Sequence, residues 1–264
     1  MLILALDTTT PAGSLAVSRD ATVLYELVGD PSTSHAQRLP LDVLDVCTSA
    51  GVRLVDIDLF AVAAGPGSFT GLRVGIASIQ GLAFALGRKV LPVSTLEAIA
   101  AAAFVNGVPR VAAWMDAQRK QVFAQLFDVD DRNVVQPFRA AVGDEDKVVQ
   151  PFRAAAGEQL IRTFRAAGPP VAATPDEVLA SWGPASSLAD VPFRGDGAVK
   201  YADVIRATVG DGADVAPQLP PLAGAIARLA SARPEHAVLP HAVAPVYVRR
   251  PDVELARDRR AGGA

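Results

Sequence analysis

The sequence predicts an α/β protein made of two halves that begin in the same way. In each half a short apolar run ends in an aspartate and a turn, and a second apolar run follows. The first half has these features at residues 2–6, Asp7 and 14–18, and the second has them at 110–115, Asp116 and 121–127. Short apolar runs bounded by turn residues are typical of strands. The shared order of strand, aspartate, turn and strand therefore predicts a duplicated α/β domain.

The loop Asn106-Gly107-Val108-Pro109 is the predicted boundary between the halves, because glycine and proline interrupt regular structure. We predict an N-terminal lobe over residues 1–105 and a C-terminal lobe over 106–232. The last helix of the second lobe, near 222–232, is expected to pack back on the first lobe. Residues 233–264 form an extension with an arginine-rich tail, and we expect it to be partly disordered.

The composition is that of a soluble globular protein, since half of the 264 residues are hydrophobic and a fifth are charged. The formal net charge of −3 excludes a protein that holds nucleic acid by its overall field, although a local basic patch stays open. The single cysteine, Cys47, excludes an internal disulfide and a cysteine-cluster metal site. No signal peptide and no apolar run of membrane-spanning length is found, so we expect a cytoplasmic protein.

The most distinctive stretch is residues 63–75 together with the helix that they open. Gly65-Pro66-Gly67 ends an apolar strand, because this tripeptide turns and continues neither a strand nor a helix. Ser68 or Thr70 then caps a helix that runs to residue 86 with almost no long polar side chains. A helix that is apolar on nearly every face has to be covered all round.

Small residues form a stripe along this helix at positions i, i+4, i+7 and i+10, namely Gly71, Gly75, Ser78 and Gly81. An internal glycine costs about 1 kcal/mol of helix stability relative to alanine, so the stripe indicates a contact that side chains would block. Two partners fit this contact equally well: the protein's own sheet and a helix of another subunit.

A second helix with excess apolar surface is predicted over residues 35–50, with caps offered by Ser32-Thr33-Ser34. Pro40 either kinks this helix or marks a restart. The apolar residues form two faces rather than one, with Leu39, Val43, Val46 and Cys47 on the first and Leu41 and Leu44 on the second. Cys47 is interpreted as a small hydrophobic residue of the core or of an interface.

The turn Asp7-Thr8-Thr9-Thr10 follows the first strand. Its hydroxyls and amides are suited to surround a phosphate, and the carboxylate could hold a magnesium ion through water. Aspartate and threonine at strand ends more often serve only to cap turns. The residues alone leave both interpretations open.

The remaining chain carries ordinary helix signals and one short repeat. Residues 134–141 recur as 148–155, and two copies indicate a local duplication rather than a solenoid. Helices are predicted near residues 158–166 and 175–182, and Gly195-Asp196-Gly197 marks a strand-to-helix junction. Two pairs have the spacing of a capping box, Ser94 with Glu97 and Thr174 with Glu177.

Six segments together resemble the bacterial TsaB (YeaZ) family of tRNA threonylcarbamoyladenosine biosynthesis proteins, in the actin-like ATPase (ASKHA) superfamily: residues 4–10, 64–75, 93–98, 116–119, 195–197 and 245–249. The specific part is Gly-Pro-Gly-Ser-Phe-Thr-Gly-Leu-Arg-Val-Gly at 65–75. The resemblance is close over residues 1 to 128 and loose afterwards. The repeat within 134–155 departs from the family pattern.

The resemblance implies a two-lobed actin-like or ribonuclease-H-like fold with a mixed sheet flanked by helices in each lobe. It also implies an accessory, non-catalytic subunit of the complex that makes N6-threonylcarbamoyladenosine at position 37 of tRNAs reading codons that begin with A. The catalytic subunit is then a larger homologue, TsaD, and the ATPase TsaE joins the assembly. We expect tRNA to be reached only through the complex, and the protein to form a homodimer when alone.

In that family the pairing uses the first two helices of the N-terminal lobe, which are the two helices with excess apolar surface. We accordingly predict a partner interface formed by His35, Leu39, Val43, Val46, Leu72, Gly75 and Ile79. Gly75→Arg is expected to abolish pairing while the monomer stays folded. A remnant nucleotide site with weak affinity is predicted at the turn of Asp7, Thr8, Thr9 and Thr10, and no cofactor is required.

The sequence predicts no catalytic constellation and no metal site, because His35, His236 and His241 include no pair at i, i+4 spacing. A competing hypothesis is a small-molecule kinase or ATPase of the same superfamily. In that case Asp7 and Asp116 would arrange magnesium and phosphates across the cleft between the lobes. A third hypothesis is a plain interaction module of another pathway.

Overall fold

The structure is a computed structural model that describes residues 1–104, 107–130 and 163–249. Its strands form two mixed five-stranded sheets, with the order β3-β2-β1-β4-β5 in the first and β10-β6-β7-β8 in the second, where β9 also pairs with β7. The strands are Leu2–Asp7 (β1), Ser14–Arg19 (β2), Thr22–Val28 (β3), Leu59–Gly65 (β4), Lys89–Ser94 (β5), Arg110–Asp116 (β6), Val122–Asp130 (β7), Thr163–Ala166 (β8), Val171–Ala173 (β9) and Phe193–Arg194 (β10).

The helices form three layers around and between the two sheets. One outer layer, α1 and α2, packs on the first sheet, the middle layer of α3 and α7 lies between the sheets, and α4 to α6 cover the second sheet. This arrangement confirms the predicted α/β fold with two mixed sheets flanked by helices. The helices are His35–Ser49 (α1), Phe69–Ala85 (α2), Thr95–Ala102 (α3), Pro175–Ser181 (α4), Asp196–Lys200 (α5), Ala202–Val209 (α6) and Ala223–Ala232 (α7).

Successive side chains of the central strands point to opposite faces of the sheet and so belong to two different parts of the core. In β1, Ile3 and Ala5 face the middle layer, whereas Leu4 and Leu6 face α1 and α2. Every residue of β4 is buried, and β4 is paired in parallel with both β1 and β5. Parallel strands covered on both faces read as continuous apolar runs, which explains why these strands show no alternation in the sequence.

The last helix, α7, is fixed to the first sheet at its N-terminus. The Ser14 hydroxyl accepts hydrogen bonds from the backbone N–H groups of Leu222 and Ala223, at 3.2 and 3.0 Å. The Glu26 carboxylate accepts from the N–H of Gly224 at 2.7 Å. Three backbone donors that a helix start leaves unpaired are thus satisfied by β2 and β3. The lobe boundaries at residues 105 and 232 stay predictions.

Most predicted elements are present, with ends shifted by one to three residues. The predicted helix over residues 158–166 is wrong where the structure describes it, because Thr163–Ala166 is β8 and pairs antiparallel with β7. The backbone hydrogen bonds that the β7 edge offers outweigh the weak helix preference of a four-residue segment. The repeat within 134–155 and the tail from residue 250 lie outside the described residues.

The predictions for Pro40 and for the two capping boxes have different outcomes. Pro40 lies inside a single continuous α1, so the helix does not restart there. Thr174 and Glu177 form the predicted capping box. Ser94 caps α3 by accepting from the N–H of Glu97, but the Glu97 carboxylate binds the Arg233 guanidinium through two hydrogen bonds of 2.8 and 2.6 Å. The second half of that box is therefore replaced by an ion pair between α3 and the end of α7.

Candidate functional site

The turn after β1 is closed by the Asp7 carboxylate, which is buried. Its Oδ1 accepts hydrogen bonds from the Thr9 N–H at 2.8 Å and from the Thr9 hydroxyl at 2.6 Å, and its Oδ2 accepts from the Thr10 hydroxyl at 3.4 Å. Burial raises the pKa of Asp7 above its ordinary value, and the hydrogen bonds from Thr9 and Thr10 oppose that rise. Asp7 therefore holds the turn with both carboxylate oxygens.

His35 and Thr8 join this turn to the two helices of the outer layer. The Thr8 hydroxyl donates to the Gly71 carbonyl of α2 at 2.8 Å. His35 Nδ1 accepts from Arg38 at 2.8 Å, which leaves the proton on Nε2, 3.1 Å from the Thr10 carbonyl oxygen. Burial and the Arg38 charge lower the pKa of His35. His35 thus connects α1 to the turn from a half-buried position.

The first half of the small-residue stripe closes on the protein's own turn. A Cβ added to Gly71 would lie 1.9 Å from the Thr8 carbonyl oxygen, and one added to Gly75 would lie 2.1 Å from the Thr8 hydroxyl oxygen. Real Cβ atoms do not approach other atoms so closely, so both positions require glycine. Gly81 is different, because nothing lies within 4 Å of its added Cβ.

The predicted partner interface needs a correction. The side chains of Leu39, Val43, Val46, Leu72 and Ile79 are buried within the chain, and Gly75 is buried against Thr8. All these residues face the first sheet or the turn, because an amphipathic helix directs its most regular apolar face toward its own core. The close contact between Gly75 and Thr8 argues against the prediction that Gly75→Arg leaves the monomer folded.

A second apolar face of the same helices points outward. Leu41 and Leu44 of α1 are 66% and 54% exposed, and Phe84 near the end of α2 is 82% exposed. On α2, Ala77 and Gly81 are also exposed. We call this surface the outer α1–α2 face, defined by Leu41, Leu44, Ala77, Gly81 and Phe84.

A cleft of about 670 Å³ separates the two aspartate turns. Thr9 and Thr10 line one side, and Asp116, Gln118 and Asp196 line the other. Asp116 Oδ2 lies 2.7 Å from the Lys200 ammonium, and its Oδ1 accepts from the Gln118 N–H at 3.0 Å. Burial raises the pKa of Asp196, whose carboxylate accepts from the N–H groups of Asp116 and Gly197. These carboxylates are engaged by the protein's own donors.

The C-terminal strap, residues 243–249, crosses the mouth of this cleft. The Val246 N–H donates to the Ala64 carbonyl at the end of β4, at 2.7 Å. Arg249 donates to the Ala117 carbonyl at 2.9 Å and to the Gln121 side chain, both in the turn between β6 and β7. The strap therefore ties the first sheet to the second. The strap residues 245–249 stand in the sequence as a family motif. The motif gave no sign of this role, because each contact joins residues that are far apart along the chain.

The structure also bears on metal and membrane association. Across residues 1–104, 107–130 and 163–249, no three His, Cys, Asp or Glu side chains are grouped closely enough to hold a metal ion. In the same ranges, no helix has the length and apolar character needed to cross a membrane.

Comparisons with known proteins give the chain a family. The family model described as TsaD, tRNA N6-adenosine threonylcarbamoyltransferase, matches residues 30–261. The Escherichia coli tRNA threonylcarbamoyladenosine biosynthesis protein TsaB is 40% identical over 135 residues, which cover 51% of this chain and 58% of that protein. The chain thus spans about half the length of the curated relatives that it matches.

Two solved structures from Pseudomonas aeruginosa are similar over nearly the whole chain, both at 31% identity. One is described as an uncharacterized protein with similarity to peptidase YeaZ and has a TM-score of 0.68, with 94% of this chain and 99% of that chain covered. The other is YeaZ, with a TM-score of 0.67 and coverage of 93% and 100%. Because the family model and these structures each span most of the chain, the protein belongs to the TsaD family of that description and, within it, to the TsaB (YeaZ) proteins with their actin-like fold.

Proposed function

We propose that the protein is an accessory, non-catalytic subunit of the complex that makes N6-threonylcarbamoyladenosine at position 37 of tRNAs reading codons that begin with A. Its family membership supports a role in this modification. In the proposal a larger, TsaD-like homologue is the catalytic subunit, a TsaE-like ATPase joins the assembly in the cytoplasm, and the protein itself requires no cofactor. Weak nucleotide binding at the turn of Asp7 is compatible with this role.

The observation that carries the proposal is the outer α1–α2 face. Leu41, Leu44 and Phe84 are large apolar side chains that the chain leaves in water, and Gly81, one helical turn before Phe84, has open space above it. Burying three such side chains yields about 1.5–3 kcal/mol each, which favours a stable helix-to-helix contact. We propose that the TsaD-like homologue covers this face, and that a second copy of the chain covers it when the homologue is absent.

A kinase or ATPase is the second candidate function, and the cleft between the sheets is the observation that favours it. Its volume of about 670 Å³ lies within the range of small-molecule sites. The state of the carboxylates weakens this candidate, because Asp7 is bound by its own turn and Asp116 by Lys200. Hydrolysis of ATP in the presence of magnesium that is lost in Asp7→Ala would favour the kinase or ATPase over the accessory role. Asp7→Asn is the folding control, because it has to stay folded without the charge.

The deciding experiment is an affinity capture of the tagged full-length chain from its own cells, with two arginine variants. Gly81→Arg places a long cation in the outer α1–α2 face, at an exposed position where an added Cβ has no neighbour within 4 Å. Gly212→Arg is the matched control, because Gly212 is also exposed and open but lies between α6 and α7.

We expect Gly212→Arg to capture as much of the larger homologue as the wild type does. Gly81→Arg should capture at least ten-fold less. The purified Gly81→Arg protein should also be monomeric where the wild type is dimeric. Recovery of the homologue with Gly81→Arg would contradict the proposed interface. Recovery of an unrelated protein in place of the homologue would favour an interaction module of another pathway.

A further inference from the structure

An exposed aromatic cluster lies at the mouth of the cleft, where α2 begins and the strap passes. The rings of Phe69 and Tyr247 have centroids 5.2 Å apart and planes inclined at 33°. The guanidinium carbon of Arg73 lies 3.8 Å from the Phe69 centroid, and its Nε donates to the Tyr247 hydroxyl at 3.1 Å. Phe69 and Tyr247 nevertheless stay 42% and 38% exposed. The mouth cluster, Phe69, Arg73 and Tyr247, therefore presents partly apolar π surface to solvent.

The charge around the mouth cluster is predominantly positive, although the carboxylates of Asp116 and Asp196 line the same cleft. Arg73 and Arg249 both bind neutral acceptors, and within the described part of the chain no carboxylate forms an ion pair with either. The nearby carboxylate of Asp116 is neutralised by Lys200. Lys120 adds an exposed cation at the tip of the β6–β7 turn. A chain with a net charge of −3 thus has a local basic patch at this point.

A partner that suits this patch has planar rings and negative charge. Unpaired bases of RNA stack on aromatic rings and on guanidinium planes, and their phosphates pair with arginine. The N-terminus of α2 lies at Phe69, and the dipole of this 17-residue helix adds a partial positive charge there. The cleft behind the cluster has room for one unstacked nucleotide, since about 670 Å³ is within the range of ligand pockets.

The mouth cluster and the outer α1–α2 face lie toward opposite ends of α2, and Arg73 is one helical turn before Ala77. Phe69 is the first residue of α2, and Phe84 lies fifteen positions later. At 1.5 Å per residue these positions are about 22 Å apart along the helix axis. A protein partner on Phe84 and an RNA loop on Phe69 would therefore be centred at opposite ends of α2, with Arg73 and Ala77 between them.

The geometry points to the mouth cluster, with Arg249 beside it, as a contact for an unpaired nucleotide of the tRNA that the complex modifies. This inference rests on the proposed function, because that function supplies the RNA. In it the base stacks on the Tyr247 ring and on the outer face of the Arg73 guanidinium, which itself lies over Phe69, and Arg73 and Arg249 pair with the flanking phosphates.

The test measures binding of a fluorescent anticodon stem-loop RNA to the full chain assembled with its larger partner. Arg73→Gln and Tyr247→Leu should each weaken binding about ten-fold, as loss of a stacking contact does. Tyr247→Phe removes the hydroxyl bonded to Arg73 but keeps the ring, so it should bind as tightly as wild type. Leu239→Ala is the control, since Leu239 is exposed but not in the cluster. Arg73→Gln should also lower the slope of log affinity against log salt by about one.

A stem-loop that carries 4-thiouridine in its loop gives a direct readout, and cross-links to peptides containing Phe69 or Tyr247 support the inference. Unchanged affinity of Arg73→Gln and Tyr247→Leu overturns it. Loss of partner capture by these variants also overturns it, because the cluster would then be a protein contact. Competition by ATP with magnesium as strong as by unlabelled RNA overturns it in favour of a mononucleotide site. A wild-type chain that captures no partner counts instead against the proposed function.

Discussion

Gly75 and Gly81 belong to one stripe of one helix, yet their surroundings are opposite. Gly75 is buried, and an added Cβ would lie 2.1 Å from the Thr8 hydroxyl oxygen. Gly81 is exposed, and an added Cβ would have no neighbour within 4 Å. Between them α2 rises about 9 Å, which carries the helix past the turn after β1. The stripe is thus an internal contact at its start and a free surface at its end.

This difference shows that a stripe of small residues needs no single explanation. The two interpretations that the sequence left open were the protein's own fold and another subunit. The first applies at Gly71 and Gly75, where the backbone of α2 meets the turn. The second is proposed for Gly81 and the outer α1–α2 face. Substitutions at inner and outer positions separate the two directly.

The largest effect on stability is expected from the contrast between a buried and an exposed position of α1. Val46→Asp places an unpaired charge in the core between α1 and the first sheet, where Val46 is fully buried. We expect it to lower the free energy of unfolding by about 4 kcal/mol or more. Leu44→Asp, two positions earlier and 54% exposed, should change it by no more than about 0.5 kcal/mol. Urea denaturation measures both.

Leu44→Asp should in addition weaken self-association, because it places a charge in the outer α1–α2 face. Sedimentation or light scattering at matched concentrations follows this change. Equal loss of stability in the two variants would contradict the assignment of inner and outer faces.

The sequence was sufficient for the fold but not for the direction in which each helix face points. Apolar runs and turn residues located β1, β4, β6 and β7 but neither β8 nor β9, and β1 and β4 stand out because they are buried on both faces. Spacing also found both faces of α1. It could not tell which face meets the sheet, because Val46 and Leu44 are equally apolar and burial depends on packing with distant residues.

The strap shows a second limit of the sequence. Val246 and Arg249 bond to Ala64 and to residues of the β6–β7 turn, more than a hundred positions away. No local pattern encodes such contacts. The helix predicted over residues 158–166 is wrong at Thr163–Ala166 for the same reason, because pairing with β7 decides the conformation of these four residues.

A smaller effect is expected from the two glycines themselves. Gly75→Ala forces Thr8 away and disturbs its hydrogen bond to Gly71, so we expect a loss of about 2 kcal/mol even after the gain in helix propensity. Gly81→Ala should instead stabilise the protein by about 0.5–1 kcal/mol, since it meets nothing and favours the helix. Thermal unfolding of the two variants gives the comparison, and stabilisation by Gly75→Ala would show that α2 does not close on the turn.

The smallest effect concerns the buried carboxyl group of Asp7 in the turn against which Gly71 and Gly75 pack. Because burial raises the pKa of Asp7, the folded protein binds this proton more tightly than the unfolded chain does. Stability from this group is therefore present below its ordinary pKa and is lost as pH rises toward the raised value. Asp7→Asn keeps an acceptor for Thr9 but carries no charge, so its stability relative to wild type should improve as pH rises above the ordinary pKa of an aspartate. Urea titrations of both proteins across this range isolate Asp7, because all other groups are shared. A relative stability that declines with rising pH would mean that the charged carboxylate, rather than its hydrogen-bond geometry, holds the turn.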